Sequence, residues 1–294
     1  MKAQQQSLFY LHSAVLLFGG TALFSKLIQL PALDITVYRV AVAFIALFIL
    51  LIAQGKKLTL ASQKEYGVAI LLGMVVGIHW VTYFASMQMA GVTIGIISFF
   101  TYPVITVFLE PLFSKKRPKL KDICIAVVVV LGIFLLIPEV SLGNQTTLGI
   151  ITGIISAAFF ALRNIVHKNY FSHYSGPHTM FYQTFVAFVM LFMFVEVPVS
   201  QVSEQDWWLI VLVGVVFTAT PHALFASSLR HLSATTAGLI SCLQPLYGSI
   251  LAFLLLQERV SIISLIGGCL VVSAAVFETW SVSASKVKVK EQRS

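Results

Sequence analysis

The sequence predicts an all-α integral membrane protein: ten transmembrane helices arranged as two inverted five-helix repeats. Three observations predict it, namely the composition, ten long apolar runs and a weak internal duplication. Of the 294 residues, 58% are apolar and only 10% are charged, and the mean hydropathy is +0.93. Soluble domains carry about 25% charged residues, so this composition cannot build an ordinary water-facing surface, and the bilayer must act as solvent. The apolar runs fall near 8–28, 34–53, 66–86, 92–112, 121–138, 147–169, 177–195, 206–228, 234–256 and 261–280. Ten spans of about 20 residues use roughly 200 residues, which leaves short connections and no room for a separate soluble domain. A membrane barrel would instead show alternating segments of about ten residues, whereas a helix satisfies its own backbone in lipid.

Charge placement orients the spans. The net charge is +8, but the basic residues cluster between apolar runs rather than along one face, so they act as topology signals and not as a nucleic-acid surface. With the N-terminus inside, sixteen of the 19 Lys and Arg residues fall on the inner side. They include Lys56, Lys57 and Lys64, the run from Lys115 to Lys121, Arg163, Lys168, Arg230 and the basic tail from Lys286 to Arg293. Only Lys26, Arg39 and Arg259 fall outside, among Asp34, Glu139, Glu196, Glu204, Asp206 and Glu258. Both termini are therefore expected in the cytoplasm, with the chain multi-pass in the cytoplasmic (inner) membrane. The N-terminal run is expected to be retained, because no small-residue cleavage site follows it. Cys124, Cys242 and Cys269 sit in apolar runs without paired spacing, so neither a disulfide framework nor a zinc site is expected.

The duplication is read at an offset of 142 residues. Thr93, Gly95 and Pro103 fall opposite Thr235, Ala237 and Pro245, and Ala85 and Ser86 opposite Ser227 and Ser228. Upstream, with a short gap, PALDITVYR aligns with SGPHTMFYQ, which places Arg39 over Gln183. The expected units are residues 1–140, residues 141–282 and a basic cytoplasmic tail at 283–294. Five spans per unit is odd, so the second copy enters the membrane upside down, as in many secondary transporters whose site lies near the midplane.

Polar residues deep in a bilayer are expensive and carry functional hypotheses. His79, Tyr83 and Ser86 share one helical face, with Trp80 beside them. His79 is deep enough either to titrate or to serve as a neutral hydrogen-bonding group between helices. Ser98, Tyr102 and Thr106 recur every four residues around Pro103, with Glu110 at the inner end of that run. The proline frees a carbonyl for a cavity or kinks the helix without touching ligand. Ser156, Phe160, Arg163 and His167 form a stripe, and Thr218, His222 and Phe225 another beside Pro221. Gln244 and Tyr247 flank Pro245. Hydrogen-bonding side chains would fix a substrate while aromatic faces cover its apolar part. His79, Trp80, Tyr83, Tyr102, His222, Phe225 and Gln244 are the expected substrate-binding residues on that reasoning.

Lys26, Arg39, Glu110 and Glu258 are the expected gating or anchoring residues. Lys26 either snorkels to headgroups or pairs with Asp34. Arg39, about 8 Å into its helix, either pairs with Asp34 or caps carbonyls. The pairs Gly73 with Gly77, Gly91 with Gly95 and Gly149 with Gly153 read as packing surfaces. No HExxH, GxSxG, Walker A sequence or aspartate-rich pair is present, so no catalytic machinery, metal site or cofactor is expected. An arginine ladder and a filter-like loop are also missing, which weakens a channel reading.

The segment LLLQERVSIISLIGGCLVVSAAVF, with Glu258, Gly267 and Gly268, resembles the corresponding stretch of EamA-type members of the drug/metabolite transporter superfamily. HWVTYFASMQMAGVTIGIISFFTYPVITVFLEPL and PALDITVYR agree with it. In the first repeat Lys116 stands where the second has its loop glutamate, so the symmetry is lost there. The resemblance implies ten helices in two inverted repeats, a central cavity, and movement of small metabolites, often outward and without ATP. The resulting expectation is a secondary transporter, an exporter or exchanger working by alternating access, with amino acids or related compounds favoured. Its partners are a small-molecule substrate, the bilayer and protons as a coupling ion through His79, with no nucleic acid and no obligate protein partner. Two alternatives stay open: an importer by facilitated diffusion, and a membrane-embedded enzyme on a lipid or prenyl substrate.

Overall fold

The computed structural model describes residues 2–114, 120–136, 143–171, 173–228, 240–241 and 243–291, and no strand occurs among them. The first half runs α1 (Lys2–Thr21), α2 (Phe24–Leu27), α3 (Ala32–Ala53), α4 (Gln63–Ala90), α5 (Val92–Phe99), α6 (Tyr102–Ser114) and α7 (Leu120–Leu136). The second half runs α8 (Gln145–Tyr170), α9 (Gly176–Leu191), α10 (Glu204–Gly214), a π-helical turn (Val215–Ala219), α11 (Thr220–Ser228), α12 (Gln244–Leu256) and α13 (Ile262–Glu291). Among the described residues, six stretches are long and apolar enough to cross a membrane: Gln5–Leu27, Ala32–Ala53, Gln63–Ala90, Gln145–His167, Gly176–Phe194 and Glu204–Phe225. Val92–Thr106, Gln244–Leu256 and Ile262–Ala274 are shorter apolar segments.

Helix starts follow the local chemistry. Ser62, Asn144, Ser175 and Ser203 each accept backbone N–H groups of the turn they precede, which satisfies donors the helix itself leaves unpaired. Helix α4 ends on Gly91 at φ +89°, a conformation open to glycine at little cost. The expected apolar runs are mostly helical where they are described, and several are interrupted. The run at 8–28 bends at Ala22–Leu23, that at 92–112 breaks at Phe100–Thr101, and that at 206–228 passes through the π turn. Proline explains the second break, because Pro103 has no N–H to give to the turn before it. Helix α12 likewise begins one residue before a proline, Pro245. Tyr102 and Gln244, the first residues of α6 and α12, are thus related by the offset of the two repeats. Helix α13 runs on to Glu291, past the expected start of a tail at residue 283. Residues 115–119, 137–142 and 229–239 lie outside the described residues, and with them Lys115, Lys116, Glu139, Arg230 and Thr235.

Small residues set the main crossings. Helix α4 packs along α8 and α9, α3 along α9, α1 against α11 and α12, and α7 against α13. At the α4–α8 crossing Ser86 Oγ donates to the Gly149 carbonyl at 2.7 Å. A Cβ on Gly153 would stand 2.7 Å from Ser98 Cβ and 2.8 Å from Ser86 Oγ. Gly73 and Gly77 meet Val186 and Ala187 of α9 in the same way, while Gly132 and Gly267 bring the backbones of α7 and α13 together. Gly95 is close to Met87 of the adjoining helix. Close approach through small residues is a principal means of helix association where water supplies no driving force.

Gly153→Val therefore overpacks the α4–α8 crossing, at a cost of about 1–3 kcal/mol. The expected outcome is a lowered thermal unfolding midpoint of the purified protein in detergent, with no change for Gly67→Val, whose added Cβ meets nothing within 4 Å.

Candidate functional site

The seven residues expected to bind substrate come together in one cluster, with Tyr102, His222 and Phe225 half-buried and the other four buried. His79, Trp80, Tyr83 and Gln244 are 5%, 4%, 5% and 9% exposed. Gln244 Nε2 donates to the Tyr83 hydroxyl at 3.2 Å, which ties the start of α12 to the middle of α4. Tyr83 lies 5.8 Å from His79 and 5.0 Å from Phe99, ring centre to ring centre. Phe99 stacks on Tyr102 at 5.2 Å across the α5–α6 break. On the other side, His222 meets Trp80 edge-on at 5.9 Å and Phe18 at 4.9 Å, and Phe18 reaches Phe225.

Four wall residues were not singled out from sequence as substrate-binding: Phe18, Phe84, Phe99 and Phe160. Phe160 packs against His79, Phe99 and Tyr102 at 4.9–5.2 Å. An aromatic residue in an apolar run looks the same whether it lines a site or fills a core, and only the stripe shared with Ser156 and Arg163 gave Phe160 any signal.

The hydrogen bonds fix which nitrogen of each histidine carries its proton. Ser156 Oγ donates to the His79 carbonyl at 3.0 Å. Its one proton being committed there, the 2.8 Å contact to His79 Nδ1 requires the ring to donate. His222 Nδ1 lies 2.6 Å from the Thr218 carbonyl, which can only accept. Both neutral rings therefore keep Nε2 as an acceptor, one from each half of the chain.

Arg39 stands at this cluster rather than among the end-of-helix charges. It is 1% exposed, its Nη1 donates to Thr218 Oγ1 at 3.1 Å, and its guanidinium lies over the rings of Trp80 at 4.9 Å and Phe84 at 4.6 Å. Asp34 is not its partner, nor that of Lys26, because both Asp34 oxygens accept backbone N–H groups of Glu196 and Val197 at 3.1 and 2.9 Å. Cation–π contacts are worth about 2 kcal/mol or more when desolvated, against several kcal/mol for taking a cation out of water. Arg39 Nε and Nη2 are buried and have no hydrogen-bond partner.

Polar side chains tie helices together at both ends of the bundle. At one end Glu258, just past α12, accepts the N–H groups of Val92 and Thr93 at 3.1 and 3.3 Å. A Cβ on Gly91 would meet its Oε1 at 2.4 Å, so the glycine is what allows this approach. Burial pushes the Glu258 carboxyl up, opposed by the two N–H groups and by Lys26. Lys26 and Glu258 share a cleft of about 640 Å³ with Gly91, Ile94 and Ser264, although Lys26 Nζ itself bonds the Gln88 carbonyl at 2.7 Å. At the opposite end Glu65 holds His173 at 2.9 Å and Tyr174 at 2.7 Å. Tyr182 and His178 bond the Leu58 carbonyl beside it. The Glu110 side chain lies outside the description.

Comparison with known proteins accords with this architecture. The EamA-like transporter family matches residues 5–137 and again residues 147–279. The uncharacterized transporter YxxF of Bacillus subtilis (strain 168) is 26% identical over 79% of this chain and 76% of its own length. The threonine/homoserine exporter RhtA of Escherichia coli (strain K12) is 26% identical over 92% of this chain and 90% of its own. A crystal structure at 15% identity superposes with a TM-score of 0.62 over 95% of this chain and 98% of that one, and so has the same fold. A family of transporters matched over both halves sets the membrane-enzyme alternative aside, and the chain belongs to the EamA-like transporter family as a multi-pass membrane protein.

Proposed function

We propose that the protein is a secondary transporter that exports or exchanges a small metabolite by alternating access, with amino acids or related compounds as the favoured class. The observation that carries this reading is the convergence of His79, Tyr83, Tyr102, His222 and Gln244 where helices α6 and α12 begin beside prolines. Interrupted helices meeting at mid-depth are how transporters build sites for polar solutes within a bilayer. The similarity to a threonine/homoserine exporter supports the amino-acid class. Residues alone do not set the direction of a gradient, and import by facilitated diffusion is the second reading.

The ten-span arrangement in two inverted repeats, residues 1–140 and 141–282, belongs to the same proposal. Its support is the doubled family match and the pairing of helices. The α4–α8 contact has its counterpart in α11 with α1, and α4–α9 in the π turn and α10 with α3, while α3–α9, α5–α12 and α7–α13 map onto themselves. The bias of basic residues supports a topology with both termini in the cytoplasm and the Glu258 end outside. Glu258 with Lys26 then forms an outer gate, and Glu65 with the loop around Tyr174 an inner one. His79, whose Nε2 is an available acceptor, is the proposed proton-coupling group.

Three measurements check this. Proteoliposomes holding the purified chain, offered a mixed metabolite pool and read by mass spectrometry, are expected to show saturable exchange of one unchanged chemical class. Chemically altered products without such exchange would refute transport. His79→Gln, which keeps hydrogen bonding but cannot titrate, is expected to flatten the pH dependence of that exchange, and an unchanged profile would remove His79 as the coupling group. In a chain whose cysteines are replaced by serine, Ile94→Cys reports on the outer cleft. Glu258→Ala is expected to raise its labelling by an impermeant thiol reagent several-fold. Because burial raises the carboxyl, protonation favours the closed latch. Labelling should therefore fall as external pH drops from the raised value toward the ordinary glutamate value of about 4.3, and Glu258→Gln should abolish that dependence.

A further inference from the structure

We propose that Arg39 is the receptor for a carboxylate group on the transported solute, taken side-on by Nε and Nη2. The inference rests on the transport reading above and names the chemistry that the same site takes.

The argument starts from what the guanidinium has and lacks. Of its donor nitrogens, Nη1 is used, on Thr218 Oγ1 at 3.1 Å, and the rings of Trp80 and Phe84 lie against the cation. Nε and Nη2 are both buried and unpartnered. These two lie on one edge of the guanidinium and donate in parallel, the arrangement that matches the two oxygens of a carboxylate. No carboxylate of the chain fills that place among the described residues. The two buried acids there are committed elsewhere, Asp34 to the N–H groups of Glu196 and Val197, and Asp206 to Gln29 N and Ser203.

Arg163 is the internal control. It too lies among the helices, but its Nε, Nη1 and Nη2 all have partners, Gln183 Oε1 at 2.9 Å, Asn164 Oδ1 at 3.0 Å and Met180 Sδ at 3.3 Å. This fold therefore can give every nitrogen of an arginine a partner among its own neutral groups, and at Arg39 it leaves one edge unmade. A single free fork suits a monoanion. A phosphate monoester, nearly doubly charged, would call for a second cation presenting an unpartnered edge, and at Arg163 each nitrogen already has a partner. The neutral histidines complete the match. With Nδ1 of His79 and His222 donating to Ser156 and Thr218, each ring keeps Nε2 as an acceptor, which suits the ammonium group of a zwitterion. The rings of Phe99, Phe160 and Tyr102 would cover an apolar remainder.

The test uses the full chain, purified, with melting shifts in detergent and exchange in proteoliposomes. The probes are L-threonine, L-phenylalanine and 3-phenylpropionate, each beside its carboxamide, plus glycerol 3-phosphate. The expected result is that at least one acid raises the melting temperature and is exchanged while its carboxamide is at least tenfold weaker. Arg39→Lys, which keeps the charge and loses the fork, should raise the half-saturating concentration tenfold or more, and Arg39→Gln should abolish the response. Arg39→Met separates a receptor from a structural anchor: it should melt no lower than the native chain yet fail to respond to the acid. A carboxamide as effective as its acid, a response to glycerol 3-phosphate alone, no response to any acid, or an unchanged response in Arg39→Gln would each overturn the assignment. Acid binding that depends on Arg39 without any exchange would uphold the receptor and defeat the transport reading instead.

Discussion

In hydrocarbon an unpaired backbone group costs several kcal/mol and has no water to turn to. A helix in this chain can therefore open only where protein closes around it. Each interruption obeys that limit and comes with a hydroxyl. At the bend after α1, Thr21 Oγ1 bonds the carbonyls of Leu17 and Phe217, and Ser25 Oγ that of Ala22. At the break after α5, Ser98 Oγ bonds Ile94 O and Thr101 Oγ1 bonds Ser98 O. In the π turn, Thr220 Oγ1 bonds Val215 O. Thr21 and Phe217 also join two of these places to each other. The interruptions thus sit inside the bundle, near the cluster that holds His79, Arg39 and Gln244, where neighbouring helices shield the backbone.

The same shielding sets the electrostatics. A cation at this depth is tolerable when rings, a hydroxyl and eventually a ligand replace its water. Arg39 has the rings and the hydroxyl in place, and Thr218, which supplies that hydroxyl, also orients His222 through its carbonyl. One residue of the π turn therefore touches both the cation and an acceptor ring. The small-residue crossing of α4 with α8 brings Ser156 up to His79, so packing far from any loop decides which nitrogen of that ring is protonated.

Much of this was legible in the sequence, and for one reason. Polar side chains in apolar runs are costly, so His79, Tyr83, Tyr102, His222 and Gln244 stood out and are found together. What the sequence concealed depends on contacts between distant segments. Asp34 lies five residues from Arg39 on the same helix, which made a pair plausible, yet the loop at Glu196–Val197, some 160 positions along, claims the carboxylate. The apolar walls at Phe84 and Phe99 had no contrast against their surroundings. Pro103 marked a disturbance of its run without telling a kink from a full break. The π turn was marked only from outside, by Pro221, which gives no N–H to the Phe217 carbonyl, because Val-Val-Phe-Thr-Ala itself suits an ordinary helix.

That turn carries one residue more than the α-helical count. At 3.6 residues per turn, a surplus residue sets everything beyond it about 100° around the axis from where an unbroken helix would put it. The facing of His222 and Phe225 is thus written in the length of the stretch before them as much as in their own identity. Removing one residue from Val215–Ala219 would restore the regular count and rotate both rings off the cluster together, with every side chain of the site still present in the sequence.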